Sequence, residues 1–137
     1  MRWGTIILAA CLVAAPAYAE VKRDDYRPWE KDIGYARAVR HGDTLYISGV
    51  TAQGATVAEQ MSNIYAEIGD ILKAHGLDSK AVVIETIYTR DIEAVKAAIA
   101  IRKQFYVDDV YPAATWVQIE RLFDEKQLIE IEIEAAL

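Results

Sequence analysis

The strand that decides the fold of this chain is its last one, Leu128-Ile129-Glu130-Ile131-Glu132-Ile133-Glu134-Ala135-Ala136. Isoleucines alternate with glutamates, and a two-residue period predicts a β-strand that buries one of its faces. The three carboxylates therefore share the opposite side of the strand, about 6.6 Å apart. A row of like charges is unfavourable unless water or a partner covers it, so this side is either a solvated outer face or the place of a functional carboxylate.

Two amphipathic helices accompany the predicted strands. Thr56 and Glu59 form a capping box, and Gly76 is suited to the left-handed conformation that ends a helix. Between them runs an apolar stripe at helical spacing, made of Val57, Met61, Ile64, Ile68, Ile71 and Leu72. Asp91 predicts the N-cap of a second helix, which continues to Tyr106. Helices with one apolar stripe each, packed on alternating strands, predict an α+β two-layer sandwich.

The remaining strands are short. Residues 35–40 and 44–48 flank His41-Gly42-Asp43, a polar loop with a glycine that predicts a β-hairpin. Strands are also predicted at residues 81–89, 115–119 and 128–136, and Pro112 separates the second helix from the next strand. A polar lead-in at residues 20–32 and a charged loop at residues 121–127 complete the chain, which shows neither an internal repeat nor a second domain.

Composition narrows the possible functions. Of 137 residues, 53% are hydrophobic and 26% are charged, which is typical of one globular domain. The 21 acidic residues outnumber the 15 basic ones, so the chain lacks the positive surface that nucleic-acid binding requires. One cysteine and two histidines, His41 and His75, cannot build a Cys/His zinc site, and we predict neither a metal nor another cofactor.

The first nineteen residues predict a secretory signal peptide. Arg2 precedes an apolar run, which ends in Pro16 and the small-residue sequence Ala17-Tyr18-Ala19. We expect cleavage before Glu20, a mature domain at residues 20–137, and a periplasmic or secreted protein without stable membrane insertion. Two alternatives remain: a membrane anchor, for which the run is at the short limit, and lipidation at Cys11, which lies early in the run.

The hairpin region carries a specific resemblance. Residues 33–49, Ile33-Gly34-Tyr35-Ala36-Arg37-Ala38-Val39-Arg40-His41-Gly42-Asp43-Thr44-Leu45-Tyr46-Ile47-Ser48-Gly49, resemble the N-terminal hairpin of the RidA/YjgF reactive-intermediate deaminase family. The first helix, residues 83–91, Tyr111-Pro112-Ala113 and residues 128–132 follow in that family's order and spacing. The resemblance implies a chorismate-mutase-like ββαβαββ fold with a mixed sheet and two helices on one face. It also implies a homotrimer with ligand clefts between subunits.

The resemblance further implies an activity and its residues. Catalytic members of the family hydrolyse a small enamine or imine, derived from an amino acid, to a keto acid and ammonia. By motif, Tyr35, Ser48 and Glu130 match the family's catalytic tyrosine, serine and glutamate, which shape the pocket and position the attacking water. The arginine that binds the substrate carboxylate has no counterpart, because Pro112-Ala113-Ala114-Thr115 replaces the family's Pro-Ala-Arg-Ser.

The loss of that arginine should weaken substrate binding by an amount that can be estimated. A charge-assisted hydrogen bond contributes about 1.5–3 kcal/mol, and the planar guanidinium also orients its partner. We therefore predict weak or absent deamination of simple 2-imino acids. Ala114, Thr115 and Trp116 are the residues predicted to line the altered ligand site, although Trp116 is also explained as a core or interface residue.

Other arginines are candidates to replace the missing charge. Arg37 lies two residues from Tyr35 and is expected on the same side of the strand, and we count it among the ligand-binding residues. If it reaches Glu130 or Glu132, it neutralises the carboxylate row; otherwise it is solvated. Arg102 falls inside the apolar arc of the second helix, where a buried guanidinium needs a partner.

Three functions remain open. The first is an exported Rid-type hydrolase that binds a small molecule in clefts between subunits, with weak or altered activity on imine- or enamine-like compounds. The second is a non-catalytic small-molecule-binding or protein-interaction trimer. The third, ribonuclease activity, conflicts with the acidic charge of the chain. The expected partners are a small-molecule ligand and other copies of the chain, and not nucleic acid.

Overall fold

The computed structural model describes residues 19–137. Its strands are β1 (Val21–Arg23), β2 (Ala38–His41), β3 (Thr44–Val50), β4 (Val82–Thr89), β5 (Ala113–Gln118) and β6 (Ile129–Ala136). Its α-helices are α1 (Pro28–Ile33), α2 (Val57–Ala74), α3 (Ile92–Ala97) and α4 (Ile99–Phe105). Residues 1–18 of the predicted signal peptide lie outside the described residues. Within residues 19–137, no helix has both the length and the apolar character needed to span a membrane.

The strands form one mixed sheet in the order β1-β2-β3-β6-β4-β5. Neighbouring strands are antiparallel except β4 and β5, which run parallel. A parallel pair needs a crossover connection, and α3 and α4 supply it between β4 and β5. The last strand in sequence thus lies in the middle of the sheet, and β5 lies at an edge.

The alternating sequence of β6 separates the two faces of the sheet. Ile129, Ile131 and Ile133 are buried in the core that the helices cover, together with the apolar stripe of α2. The glutamates between them project from the opposite, open face. This arrangement confirms the predicted two-layer sandwich, and it places the carboxylate row on the face that no helix of the described residues covers.

The ends of α2 follow the predicted capping signals. The hydroxyl of Thr56 accepts a hydrogen bond from the Glu59 amide at 3.2 Å, and the Glu59 carboxylate accepts one from the Ala55 amide at 2.7 Å. Gly76 takes the left-handed conformation with φ +75°, which an L-residue with a side chain rarely adopts. Local chemistry therefore determines both boundaries of the longest helix described.

The polar lead-in at residues 20–32, where the sequence analysis placed no strand or helix, holds two elements. It contains β1, which exists only because it pairs with β2, and α1. Local signals for α1 were present: Pro28 occupies its first turn, and the Glu30 carboxylate accepts a hydrogen bond from the Arg27 amide at 2.8 Å. The observed element order therefore adds a strand and a short helix before the predicted hairpin.

The second predicted helix is divided into two. Asp91 is its N-cap, as expected, and accepts a hydrogen bond from the Ala94 amide at 3.0 Å. The Ala98 amide is shared between the carbonyls of Ala94 and Val95, which tightens the last turn of α3. A new helix, α4, then begins at Ile99 instead of the single helix that was predicted.

Candidate functional site

An irregularity between β3 and β6 builds the site. The pairing register shifts between Ile47 and Val50, so that Ser48 and Gly49 form a β-bulge. The carboxyl group of Glu130 lies directly over the Cα of Gly49, and a Cβ at position 49 would overlap its Oε1, Cδ and Cγ atoms. Position 49 must therefore be a glycine for Glu130 to keep this place.

Tyr35 is held beside the same bulge. Its hydroxyl donates to the Gly49 carbonyl at 3.1 Å, and its ring stacks on Trp29 with centroids 5.6 Å apart. Its backbone amide donates to the Glu30 carbonyl at 2.8 Å, which ties it to α1. Next to it, the Ser48 hydroxyl donates to the Ala36 carbonyl at 2.8 Å. The bulge thus brings together the phenol, the hydroxyl and the carboxylate that the sequence singled out.

Tyr35 and Glu130 border a cleft of about 220 Å³, whereas Ser48 is not among the residues that line it. The residues that line it are Trp29, Ile33, Tyr35, Gly49, Thr51, Phe123, Gln127 and Glu130. Its walls are largely aromatic and aliphatic, and Phe123 stands at the surface with 80% of its area exposed. Glu130 is the one charged side chain among the described residues that line this cleft.

Burial changes the acidity of two groups in the cleft. It raises the pKa of Glu130 above its usual value, and the neighbouring Glu132 carboxylate adds to the rise. Burial also raises the pKa of the Tyr35 phenol to about 12, with further contributions from Glu30 and Glu130. Tyr35 therefore stays protonated at neutral pH, and Glu130 is a carboxylate that holds a proton more readily than an exposed one.

Arg37 contacts neither Glu130 nor Glu132 in the described chain; it lies beside Asp24. Its Nη2 lies 3.9 Å from the Asp24 carboxylate, because the lead-in folds back beside β2. β3 also stands between β2 and β6, which separates the Arg37 backbone from the carboxylate row. Of the two alternatives left open for Arg37, the described chain does not show the one in which it neutralises the carboxylate row.

The other predicted ligand-binding residues lie apart from the cleft within one chain. Ala114, Thr115 and Trp116 belong to the edge strand β5, which β4 separates from β6, so their backbone lies about 10 Å from that of β6. Ala114 pairs in register with Glu85, and Trp116 packs against the core. The described chain brings Tyr35, Ser48 and Glu130 together. The three residues of β5 do not lie beside them.

Arg102 has the partner that its predicted burial required. It is 7% exposed, and its Nε donates to the Glu85 carboxylate at 2.6 Å. The hydroxyls of Tyr65 and Tyr106 each donate to the other Glu85 oxygen at 2.8 Å. This buried pair lies under the helices and is committed to the interior, so Arg102 does not enter the cleft.

Several residues that line the cleft were not predicted from the sequence. Trp29 and Ile33 are four residues apart on α1 and therefore share one helix face, which turns toward Tyr35. Phe123 and Gln127 come from the charged loop before β6, and Thr51 follows β3. The signal that could have found the first two is a pair of large apolar residues in a segment that starts with Pro28.

Comparison with known proteins identifies the family. The family model described as Endoribonuclease L-PSP matches residues 29–137. An uncharacterized protein of Streptomyces coelicolor is 28% identical over 118 residues, which cover 79% of this chain and 85% of the relative. A crystal structure of a YjgF-family member from Mycobacterium tuberculosis has 26% identity and a TM-score of 0.77, covering 86% of this chain and 100% of its own. A YjgF-family protein from Neisseria meningitidis has 25% identity and a TM-score of 0.77, with coverages of 88% and 97%.

The chain belongs to the Endoribonuclease L-PSP family, which is the RidA/YjgF family that the hairpin resembled. The mixed α+β fold predicted from the sequence is confirmed by these structures and by the six-stranded sheet of residues 19–137. Trp29, which stacks on Tyr35, is the first residue of the matched segment.

Proposed function

We propose that this chain is a Rid-type hydrolase for small imines or enamines that carry no carboxylate. The observation that supports this proposal best is the charge of the cleft between Tyr35 and Glu130. Its described lining holds one carboxylate and neither an arginine nor a lysine. A 2-imino acid would therefore place its own carboxylate near Glu130 without a cation to offset the repulsion. A neutral or protonated imine with an apolar body fits the cleft better.

A nearby arginine does not change this conclusion. Arg121 lies on the other side of Glu130, in a pocket of the open face that also holds Glu132 and Tyr88. Two carboxylates share that pocket with one guanidinium, so the net charge there stays negative. The aromatic walls of the cleft, Trp29 and Phe123, supply instead the apolar contact that holds the organic part of a substrate.

The proposed reaction uses Glu130 as the proton carrier. Water attacks the imine carbon, a C–O bond forms, and Glu130 takes the proton that the water loses. Glu130 returns this proton to nitrogen, which gives a carbinolamine. It then transfers the remaining hydroxyl proton to nitrogen as the C=O bond forms and the C–N bond breaks, so that ammonia leaves with a carbonyl product. Its raised pKa favours this exchange, because Glu130 accepts a proton more readily than an exposed carboxylate does. Tyr35 positions Gly49, and through Gly49 the carboxylate, since its hydroxyl donates to the Gly49 carbonyl.

We also propose that the chain acts as an exported homotrimer. The edge strand β5 is open in the single chain, and the uncovered sheet face carries the exposed apolar residues Tyr46, Ile84 and Val117. Burial of this face between copies would remove apolar area from water. In such an assembly, Ala114, Thr115 and Trp116 of one subunit would border the cleft of another. Export rests on the N-terminal sequence pattern and predicts a mature protein that begins at Glu20.

A non-catalytic binding protein is the second candidate. Ala114 favours it, because the family's substrate-binding guanidinium is replaced by a methyl group. A ribonuclease is disfavoured by the acidic charge of the chain and by its histidines. His41 lies on the surface, and His75 lies 3.1 Å from the Asp24 carboxylate. Neither histidine lines the cleft beside Glu130.

Rapid-mixing kinetics can test the hydrolase proposal. The decay of acetophenone imine and of 2-iminopropionate would be followed with and without the purified protein. We expect acceleration of the first and a rate near background for the second. Glu130→Gln should lose about 100-fold or more of the acceleration, the range attributed to general acid–base catalysis. Glu93→Gln, a surface change in α3, is the matched control. A preference for 2-iminopropionate, or an equal rate with Glu130→Gln, would contradict the proposal.

A further inference from the structure

A second, smaller pocket lies behind Tyr35 and has a volume of about 60 Å³. The residues that line it are Arg27, Trp29, Glu30, Tyr35, Arg37, Gly49, Val50, Thr51 and Glu67. Trp29, Tyr35, Gly49 and Thr51 also line the cleft, so the two spaces share a wall. The small pocket also shares three charged lining residues, Arg27, Arg37 and Glu67, with an open surface groove of about 390 Å³.

Two buried polar atoms belong to residues of this pocket. Oε1 of Glu30 and Nε of Arg37 have no hydrogen-bond partner among residues 19–137. Glu30 is 1% exposed, and its other oxygen accepts a hydrogen bond from the Arg27 amide at 2.8 Å. The Nε of Arg27 lies 3.8 Å from Oε1, too far for a hydrogen bond. A buried polar atom without a hydrogen-bond partner is destabilising. We therefore expect a small molecule to form hydrogen bonds with both atoms.

The size and the chemistry of the pocket select that molecule. The pocket is large enough to hold more than one water molecule. An occupant that satisfies both atoms must donate a hydrogen bond to the Glu30 oxygen and accept one from the Arg37 N–H. Water does both, whereas ammonium only donates and a carboxylate only accepts. The remaining ionic groups are already paired with each other, since Arg27 Nη2 lies 2.9 Å from the Glu67 carboxylate.

We propose that the pocket between Glu30, Arg37 and Thr51 is a water site that supplies the hydrolytic water to the cleft. Glu30 and Arg37 are then positioning residues, because they act through the water and do not touch the substrate. Thr51 lines both spaces, and its hydroxyl accepts a hydrogen bond from the Gln127 amide group at 2.8 Å. Water enters from the polar groove while the substrate occupies the aromatic mouth formed by Trp29 and Phe123. This inference rests on the proposed hydrolase function, whereas the water site itself does not require it.

A crystal structure of the protein at about 1.5 Å resolution tests the water site without any substrate. We expect an ordered water within about 3.2 Å of Glu30 Oε1 and one within about 3.2 Å of Arg37 Nε. The two atoms either share one water or bind two waters that are hydrogen-bonded to each other. A pocket without solvent density, or a direct protein partner on either atom, would overturn the proposal. If water is present but the protein hydrolyses no imine, the hydrolase proposal and the supply role fail, while the water site stands.

Kinetics then test the supply of water to the cleft. Glu30→Gln presents an amide donor where the water needs an acceptor, and Arg37→Met removes the donor. We expect each to lower kcat for acetophenone imine by about tenfold or more with KM unchanged, because the substrate contacts are untouched. Glu93→Gln and Arg40→Met are the matched surface controls. A general loss of structure would raise KM and lower the melting temperature as well. Wild-type kcat in both variants, or a loss carried by KM alone, would refute the role.

Discussion

The substitution Gly49→Ala separates the position of Glu130 from its chemical identity. The added Cβ would lie 2.6 Å from Cδ and 2.8 Å from Cγ of Glu130. Ordinary carbon–carbon contact begins near 3.5 Å, so the carboxyl group must move by about 1 Å. Misplacement of a reacting group by about 1 Å lowers rates by about 100-fold. We therefore expect Gly49→Ala to resemble a loss of Glu130 in kcat although the carboxylate is still present.

The direction of the movement is also predictable. Glu130 borders the open-face pocket with Tyr88 and Glu132, and toward that side its side chain can swing without displacing the core. We expect folding stability to change little. Thermal melting measures the stability, and hydrolysis kinetics measure the loss of kcat.

A glycine in the helix layer provides the control. A Cβ at Gly69 in α2 would meet Phe105 at 3.7 Å, which is ordinary contact, and alanine favours a helix interior. Gly69→Ala should therefore keep wild-type kcat with equal or higher stability. A Gly49→Ala variant with wild-type kcat, or a crystal structure in which Glu130 has not moved, would refute the reasoning.

Four further predictions address the pocket, the pH dependence, the core and the assembly. In a coupled ammonia assay, the wild-type protein should release ammonia from 2-iminopropionate near the background rate, and Ala114→Arg should raise that rate. Wild-type activity equal to that of arginine-bearing relatives would contradict this prediction. Folding raises the pKa of Glu130 above its ordinary value of 4.5, so the folded state binds more protons than the unfolded state. The free energy of unfolding therefore falls as the pH rises from the ordinary pKa through the raised one. Urea unfolding at several pH values should show the decline in wild type and a smaller one in Glu130→Gln, and equal profiles would count against it. Arg102→Met leaves the Glu85 carboxylate buried without its cation and should cost about 3–5 kcal/mol of unfolding free energy, with partial recovery in the double variant Glu85→Gln/Arg102→Met. Light scattering of the purified protein should give three times the chain mass, and a monomer in dilute solution would exclude the trimer.

Part of the fold could be predicted from short-range signals. The capping residues Thr56 and Asp91 mark helix starts because their side chains bond to amides three residues later. The alternation in β6 predicts a buried and an exposed face because successive side chains of a strand point to opposite sides. β1 could not be found in this way, since its three residues form a strand only through pairing with β2.

The candidate site was only partly predictable. The family motif singled out Tyr35, Ser48 and Glu130, and the β-bulge at Gly49 brings them together. The aromatic wall could not be derived, because Trp29 and Phe123 are far apart in the sequence and no local pattern links them. The sequence gives no sign that Glu30 is buried, because it lies in a polar segment. Only the tertiary fold places it in the interior beside Tyr35.

The amino-acid sequence by itself determined the layers, the family and the carboxylate that faces away from the core, because periodicity, capping and motif spacing act over a few residues. Tertiary structure alone decided which side chains meet. It paired Arg37 with Asp24, enclosed Arg102 with Glu85, and set two arginines and two carboxylates around a small pocket behind Tyr35. Electrostatic and hydrogen-bond partners depend on distances of a few ångströms between segments distant in the chain, and only the folded backbone sets those distances.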